Sequence, residues 1–366
     1  MDNRTKKIVK DVLSLPTAPY HEGVVSNFIR DFADKRNIPV KSDPYGNLVA
    51  RYRKGNGVKP VALAAHMDHP GFEVISGNGR TGTAQWFGAR DPIHFPGSRI
   101  MINSNGFEVP GRTTSSLRED NTFDFVANRT IQVVDGAFGY WNLTPVEING
   151  DRISTKAADN LASCAAILAT LDRLYRSEVN ANLWGVFTRA EEVGFMGAGG
   201  IVEAGTVPKH VPIIVLETSL ALQGAEVGNG PVIRVGDRTS VFDPRIEFNI
   251  HALAQELERN KRGFRYQRQL MSGGSCEATL YVLYGMAVGA LAFPLGGCYH
   301  NIGKRKPAEE CISAADTVGM IELCTAIAMN PPSGDPRTAL RKRFERSFKT
   351  RRSKLQDCLI SVNASH

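Results

Sequence analysis

The sequence contains no Cys-x-x-Cys pair, and its six cysteines (Cys164, Cys276, Cys298, Cys311, Cys324 and Cys358) are scattered. Disulfide scaffolds and thiolate zinc sites need dense or paired cysteines, so neither is indicated and a reducing compartment is expected. No uninterrupted apolar run approaches the ~18 residues of a membrane span. Residues 1–16 carry charges throughout, where a signal peptide needs an apolar core. The expectation is therefore a cytoplasmic protein with no membrane span. Internal repeats and low-complexity segments are also missing. With 366 residues, 42% of them apolar, a mini-protein and a disordered chain are excluded, and about two domains are expected.

Net charge is scarce as well, except in one place. The chain carries +7, but nine basic and three acidic residues fall in residues 334–366, which leaves the preceding body near neutral. A Pro-Pro-Ser-Gly-Asp-Pro break precedes this stretch and should stop a helix. Beyond it, Leu340, Phe344, Phe348, Leu355 and Leu359 share one helical face. Residues 331–366 thus read as a basic amphipathic tail. Docking on its own domain or a sister subunit is the plain expectation. Nucleic acid, disfavoured by the neutral body, and an anionic membrane surface are the alternatives.

Two textures alternate along the body. Helical spacing over residues 5–35 is followed by apolar, strand-like runs at 48–52 and 58–65, the second ending at His66-Met67-Asp68-His69-Pro70. From about residue 73 to 151, Asn-Gly and Asp-Gly pairs punctuate short β-like runs, which signals hairpins. A helical stretch then follows Asp159, and strand-like runs at 183–188, 211–216 and 286–293 alternate with helical segments, the last over 308–329. The fold class expected is α/β, a mostly parallel mixed sheet with helices on both faces. Residues 1–72 and 152–330 would form it, with a small β-barrel-like domain inserted at 73–151.

Polar residues collect where apolar runs end: His66 and Asp68, Glu191 and Glu192, Glu217, and His300, with Asp159 at a helix start. Side chains at the carboxyl ends of strands in an open α/β sheet converge on one crevice. Singly, Asp159 could be a helix N-cap, the histidines hydrogen-bonded loop residues, and the paired glutamates a solvated turn. Glu217 resists such a reading, because an unpaired carboxylate after Pro-Ile-Ile-Val-Leu would be costly to bury. Together they form a hard N/O set suited to Zn²⁺, Mn²⁺ or Co²⁺.

The motifs Ala65-His66-Met67-Asp68, Ala158-Asp159-Asn160, Glu191-Glu192-Val-Gly194, the acid at Glu217 and Tyr299-His300 occur in the order found in dinuclear-metal aminopeptidases. Over residues 5–330 the chain resembles peptidase family M42, the tetrahedral and glutamyl aminopeptidase type, some members of which are labelled cellulase. The 93 residues from His66 to Asp159 accommodate an insertion where that type carries one. The resemblance implies a zinc-exopeptidase-like fold and two divalent metals, Zn with Co or Mn as alternatives. His66 and Glu217 would hold one, Glu192 and His300 the other, with Asp159 bridging. It further implies that Asp68 fixes the His66 ring, that Glu191 is the general base, and that short peptides are cut inside a homo-oligomer, a dodecamer in the family. The chain departs from the pattern at His69-Pro70, at Cys276-Glu277 and at Gly296-Gly297, where an Arg is customary. Rival readings are a glycoside hydrolase, an N-acyl amino acid deacylase and a catalytically silent scaffold. Adjacent Glu191 and Glu192 suit the first poorly, since its two carboxyls flank a sugar bond about 5 to 10 Å apart.

Overall fold

The structure, a computed structural model, describes residues 1–131, 136–334 and 337–363. Eleven strands build a mixed sheet whose centre is parallel: Ala181–Thr188, Val61–His66, Ile213–Leu220 and Val288–Gly297 lie side by side in that order. The first two are buried along their whole length, as continuous Val, Leu and Ala runs require when helices cover both faces. The flanks turn antiparallel, with Leu48–Lys54 on one side and Glu310–Ser313, Arg152–Thr155 and Val146–Asn149 on the other. The last of these strands falls within the stretch expected as the insert, yet it pairs into the large sheet.

Two apolar layers sandwich this sheet. One joins Asn3–Leu13, Gly23–Asp34, Ala158–Ser177, Pro244–Asn260 and Ala314–Met329 through residues such as Val12, Ile29, Leu168, Ile250 and Leu323. The other, under Met196–Ala204 and Glu277–Leu283, is built on Ile201, Val215, Tyr281 and Val288. Between residues 71 and 141, six strands close into a barrel, filled by an aromatic core of Phe72, Trp86, Phe95, Phe123, Phe125 and Trp141. Asn78-Gly79 and Asn105-Gly106 sit at its hairpins, whereas Asn149-Gly150 turns between Val146–Asn149 and Arg152–Thr155 in the large sheet, and Asp135 lies outside the described residues.

Two expectations need correction. The helix expected over 308–329 begins only at Ala314, where the Ser313 hydroxyl accepts from the Asp316 amide as an N-cap. The residues before it pair as the strand Glu310–Ser313, because the edge left by Arg152–Thr155 and Val288–Gly297 supplies ladder partners that helical spacing cannot reveal. The basic segment is a helix, Thr338–Asn363, but it does not dock on its own body: its described side chains through Cys358 are exposed. The body offers it no acidic counterpart in net charge. The Leu359 side chain lies outside the described residues.

Candidate metal centre

Strand ends carry the site. Val61–His66 ends on His66, which is 1% exposed, and the loop after Ala181–Thr188 carries Glu191 and Glu192. Glu217 lies within Ile213–Leu220 and not just beyond it, so the parallel ladder itself aims its side chain. Asp159 does not cap the helix: its Oδ2 faces His300, its Oδ1 has no hydrogen-bond partner among the described residues, and neither accepts from a backbone amide of the first turn. Its neighbour Asn160 donates to the Leu216 carbonyl at 2.9 Å, tying this turn to the strand that bears Glu217. Ala190 (φ 50°), Phe195 (φ 60°) and His300 (φ 52°) adopt the left-handed conformation. Such strain is retained where the surroundings over-determine it, as at binding sites.

These residues meet in one cleft of roughly 310 Å³. The His66 Nε2 lies 3.4 Å from Glu217 Oε1, 3.4 Å from Asp159 Oδ1 and 3.9 Å from Glu191 Oε2. The His300 Nε2 lies 3.2 Å from Asp159 Oδ2 and 3.3 Å from Glu192 Oε1. Asp159 thus turns one oxygen toward each histidine. Donors held about 2.0–2.2 Å from a tetrahedral ion stand about 3.3–3.6 Å apart, so the measured separations are close to those of two ligand sets sharing one carboxylate. Two groups able to hold a metal result among the described residues, His66–Glu191–Glu217 and Asp159–Glu192–His300, and in the first Glu191, at 3.9 Å from His66, stands farther off than a co-ligand would. Asp159 Oδ1, Glu192 Oε1 and Glu217 Oε2 are buried without a hydrogen-bond partner among the described residues. A buried carboxylate oxygen so left is costly unless a cation completes it. The donor set fits divalent ions.

The electrostatics agree. Burial pushes the Glu191 and Glu192 carboxyls well above their usual range, and the neighbouring carboxylates push them further. Burial also raises Glu217, against the pull of His66. Burial alone would lower His66, but Glu191, Asp159, Asp68 and Glu217 carry it well above its ordinary value. Negative charge therefore exceeds what the chain supplies to balance it.

A supporting shell fixes the ligands, and at Asp68 it does more than face the His66 ring. The His66 Nδ1 is closer to the Asp68 carbonyl oxygen (3.2 Å) than to its carboxylate (3.5 Å). The carboxylate also accepts from the backbone amides of Glu191 (3.0 Å) and Glu192 (3.1 Å), aiming both glutamates into the cleft. Sequence reasoning missed four further supports. Glu22 accepts from Arg189 Nε at 2.7 Å and the Ala190 amide at 2.9 Å. Asn47 accepts from the Arg189 amide at 3.1 Å and donates to the Gly197 carbonyl at 3.0 Å, where a Cβ on Gly197 would strike Arg189 backbone at 2.4 Å. Glu310 accepts from the Asp159 amide at 3.0 Å and the His300 amide at 2.8 Å, linking two ligands through one buried carboxylate. His69 hydrogen-bonds the Asp159 carbonyl oxygen and, at 2.9 Å, Asn301 Oδ1. Nothing in the sequence marks Glu310. The altered loop Gly273 to Cys276 and the buried Arg234 also line the cleft.

Comparisons with known proteins bear on the family and the fold. Residues 123–302 match the model of the M42 glutamyl aminopeptidase family. A protein of Acetivibrio thermocellus, assigned as an aminopeptidase, is 24% identical over 286 residues, 70% of this chain and 80% of the relative. The Pyrococcus horikoshii TET1 peptidase, which can assemble into a tetrahedron or a large octahedral shell, superposes with a TM-score of 0.72 at 17% identity, covering 88% of this chain and 99% of that one. A Thermotoga maritima structure described as an endoglucanase superposes at 0.66 and 21% identity over 88% of this chain and 96% of its own. In the order of its motifs, in the matched residues 123–302 and in its fold, the chain resembles the M42 glutamyl aminopeptidases.

Proposed function

We propose that the chain is a metal-dependent aminopeptidase that removes the N-terminal residue of short peptides. One observation carries this reading: Asp159 turns its two oxygens toward two histidines, each with its own glutamate. His66 and Glu217 would hold one divalent ion and His300 and Glu192 a second, with Asp159 shared and Zn, Co or Mn as the candidates. Such ions supply Lewis-acid polarisation of a scissile carbonyl and acidify the attacking water.

The chain's own groups do the rest. Glu191, beside His66 and facing the cleft, serves as general base, taking a proton from the attacking water and returning it to the leaving amine. Asp68 holds it in place through its backbone amide. The carboxylate-rich cleft attracts the free α-amine of a peptide, which restricts cleavage to the N-terminal bond. By likeness to the TET1 peptidase, the chain forms a homo-oligomer whose closed shell, a dodecamer if it is tetrahedral, admits short peptides. The reading also carries a cytoplasmic setting, and no described helix is long and apolar enough to cross a membrane.

The test is a panel of aminoacyl-anilides, free or N-acetylated, assayed with Zn, Co or Mn. Metal-dependent hydrolysis of the free substrates alone is expected. Cleavage of the N-acetylated set would favour a deacylase, and cleavage of β-glucan oligosaccharides in their place would favour a glycoside hydrolase.

A further inference from the structure

The helix Thr338–Asn363 has no role in the metal centre. Its eight basic and two acidic residues give it +6, nearly all of the chain's excess charge. Leu340, Phe344, Phe348 and Leu355 are 39%, 63%, 63% and 62% exposed, although nothing about an isolated helix in water favours such exposure. At about 100° per residue these four side chains occupy an arc of about 80°. Arg341 and Arg352 border the arc on one side, and Arg343 and Lys354 border it on the other. Arg351 interrupts it, with an aliphatic stem long enough to lie along the stripe. Glu345 and Asp357, the two acids, fall outside the stripe.

We propose that this helix is a membrane-surface anchor, whose Leu/Phe stripe enters an anionic lipid interface while the bordering arginines and lysines meet lipid phosphates. Charge complementarity selects this occupant. A second copy of the helix carries the same +6 and repels it, and the body, with 35 basic and 34 acidic residues, carries no net acidic charge to attract it. A nucleic-acid backbone would neutralise the cations but leave Phe344 and Phe348 in water. An anionic bilayer takes both, burying the apolar arc at the acyl boundary and the flanking cations at the headgroups. Attachment of this kind is reversible and weakens with salt.

The experiment uses the full chain and vesicles of phosphatidylcholine, with or without phosphatidylglycerol. Co-sedimentation with the anionic vesicles only is expected, diminishing as salt rises. The double variant Phe344→Glu/Phe348→Glu should lose at least about tenfold in retention while hydrolysing soluble anilides as before. A Phe348→Trp variant should shift its emission to the blue on anionic vesicles, reporting insertion. The proposal is overturned if anionic vesicles do not retain the chain, if the double glutamate variant is retained equally, or if the tryptophan emission stays unmoved. It is equally overturned if duplex DNA competes the chain off vesicles with no loss for the glutamate variant. A fall in assembled mass in that variant, seen by light scattering, would make a sister chain the occupant instead.

Discussion

Two buried groups of charge in this molecule are handled in opposite ways. Asp172, on the helix Ala158–Ser177, has a side chain only 2% exposed, and it receives Arg4 Nε and Nη2 at 2.7 Å, Arg36 Nε at 2.7 Å and Arg176 Nε at 3.0 Å. Burial alone would raise its carboxyl, but the guanidinium groups of Arg4 and Arg36 hold it at about 2. Near the start of the same helix stands Asp159 in the cleft, where four carboxylates meet two histidines and Arg234, and several buried oxygens find no hydrogen-bond partner among the described residues. Where a carboxylate serves the fold, the chain provides its counter-charge. In the cleft the carboxylates outnumber the cationic groups facing them, and that shortfall is what a pair of cations would fill.

Substitutions can break this contrast at either end. The largest effect is expected from Glu191→Gln, which should lower anilide hydrolysis about 10²- to 10⁴-fold while leaving bound metal unchanged. Steady-state kinetics beside elemental analysis checks both halves; a fully active variant would remove Glu191 as general base. Glu310→Gln should weaken metal retention about 10- to 100-fold, because an amide cannot accept from both the Asp159 and His300 amides with one oxygen each. Competition with a chromophoric chelator measures this, and excess metal should restore activity.

At the other end, Asp172→Asn should cost about 3 kcal/mol of stability, read by denaturant unfolding, with kcat at saturating metal unaltered. The smallest effect is one of pH. The Asp172 carboxyl sits below its ordinary 3.8, so its stabilisation is fully present above that value and is lost as the pH falls toward about 2. Denaturation midpoints of the parent and Asp172→Asn should therefore converge across that window. Parallel curves would mean the arginines do not depress this carboxyl.

The same contrast explains what the sequence could disclose. His66 and Glu217 lie at the end or within apolar strands, and Glu191, Glu192 and His300 just beyond them, in a way that the runs' positions betray, while Asp159 opens a helix that the pattern also shows. The parallel centre of the sheet follows from those runs too. The supporting shell was less visible. Glu310 looks like a helix residue until edge pairing makes it a strand, and the arginines of Asp172 come from positions 168 and 136 residues away. Asp68 is legible beside His66, whose Nδ1 its carboxylate faces at 3.5 Å, but the two backbone amides of Glu191 and Glu192 that it also accepts from are not. The helix Thr338–Asn363 was legible as basic and amphipathic, whereas its separation from the body was not.

Metal content per chain tests the central claim most directly. Protein stripped with a chelator and dialysed against Zn, Co or Mn should take up two equivalents per chain, and Asp159→Asn should lose affinity for both together, since that residue faces both histidines. Uptake of no metal by the parent, or two equivalents retained at full affinity in Asp159→Asn, would contradict it.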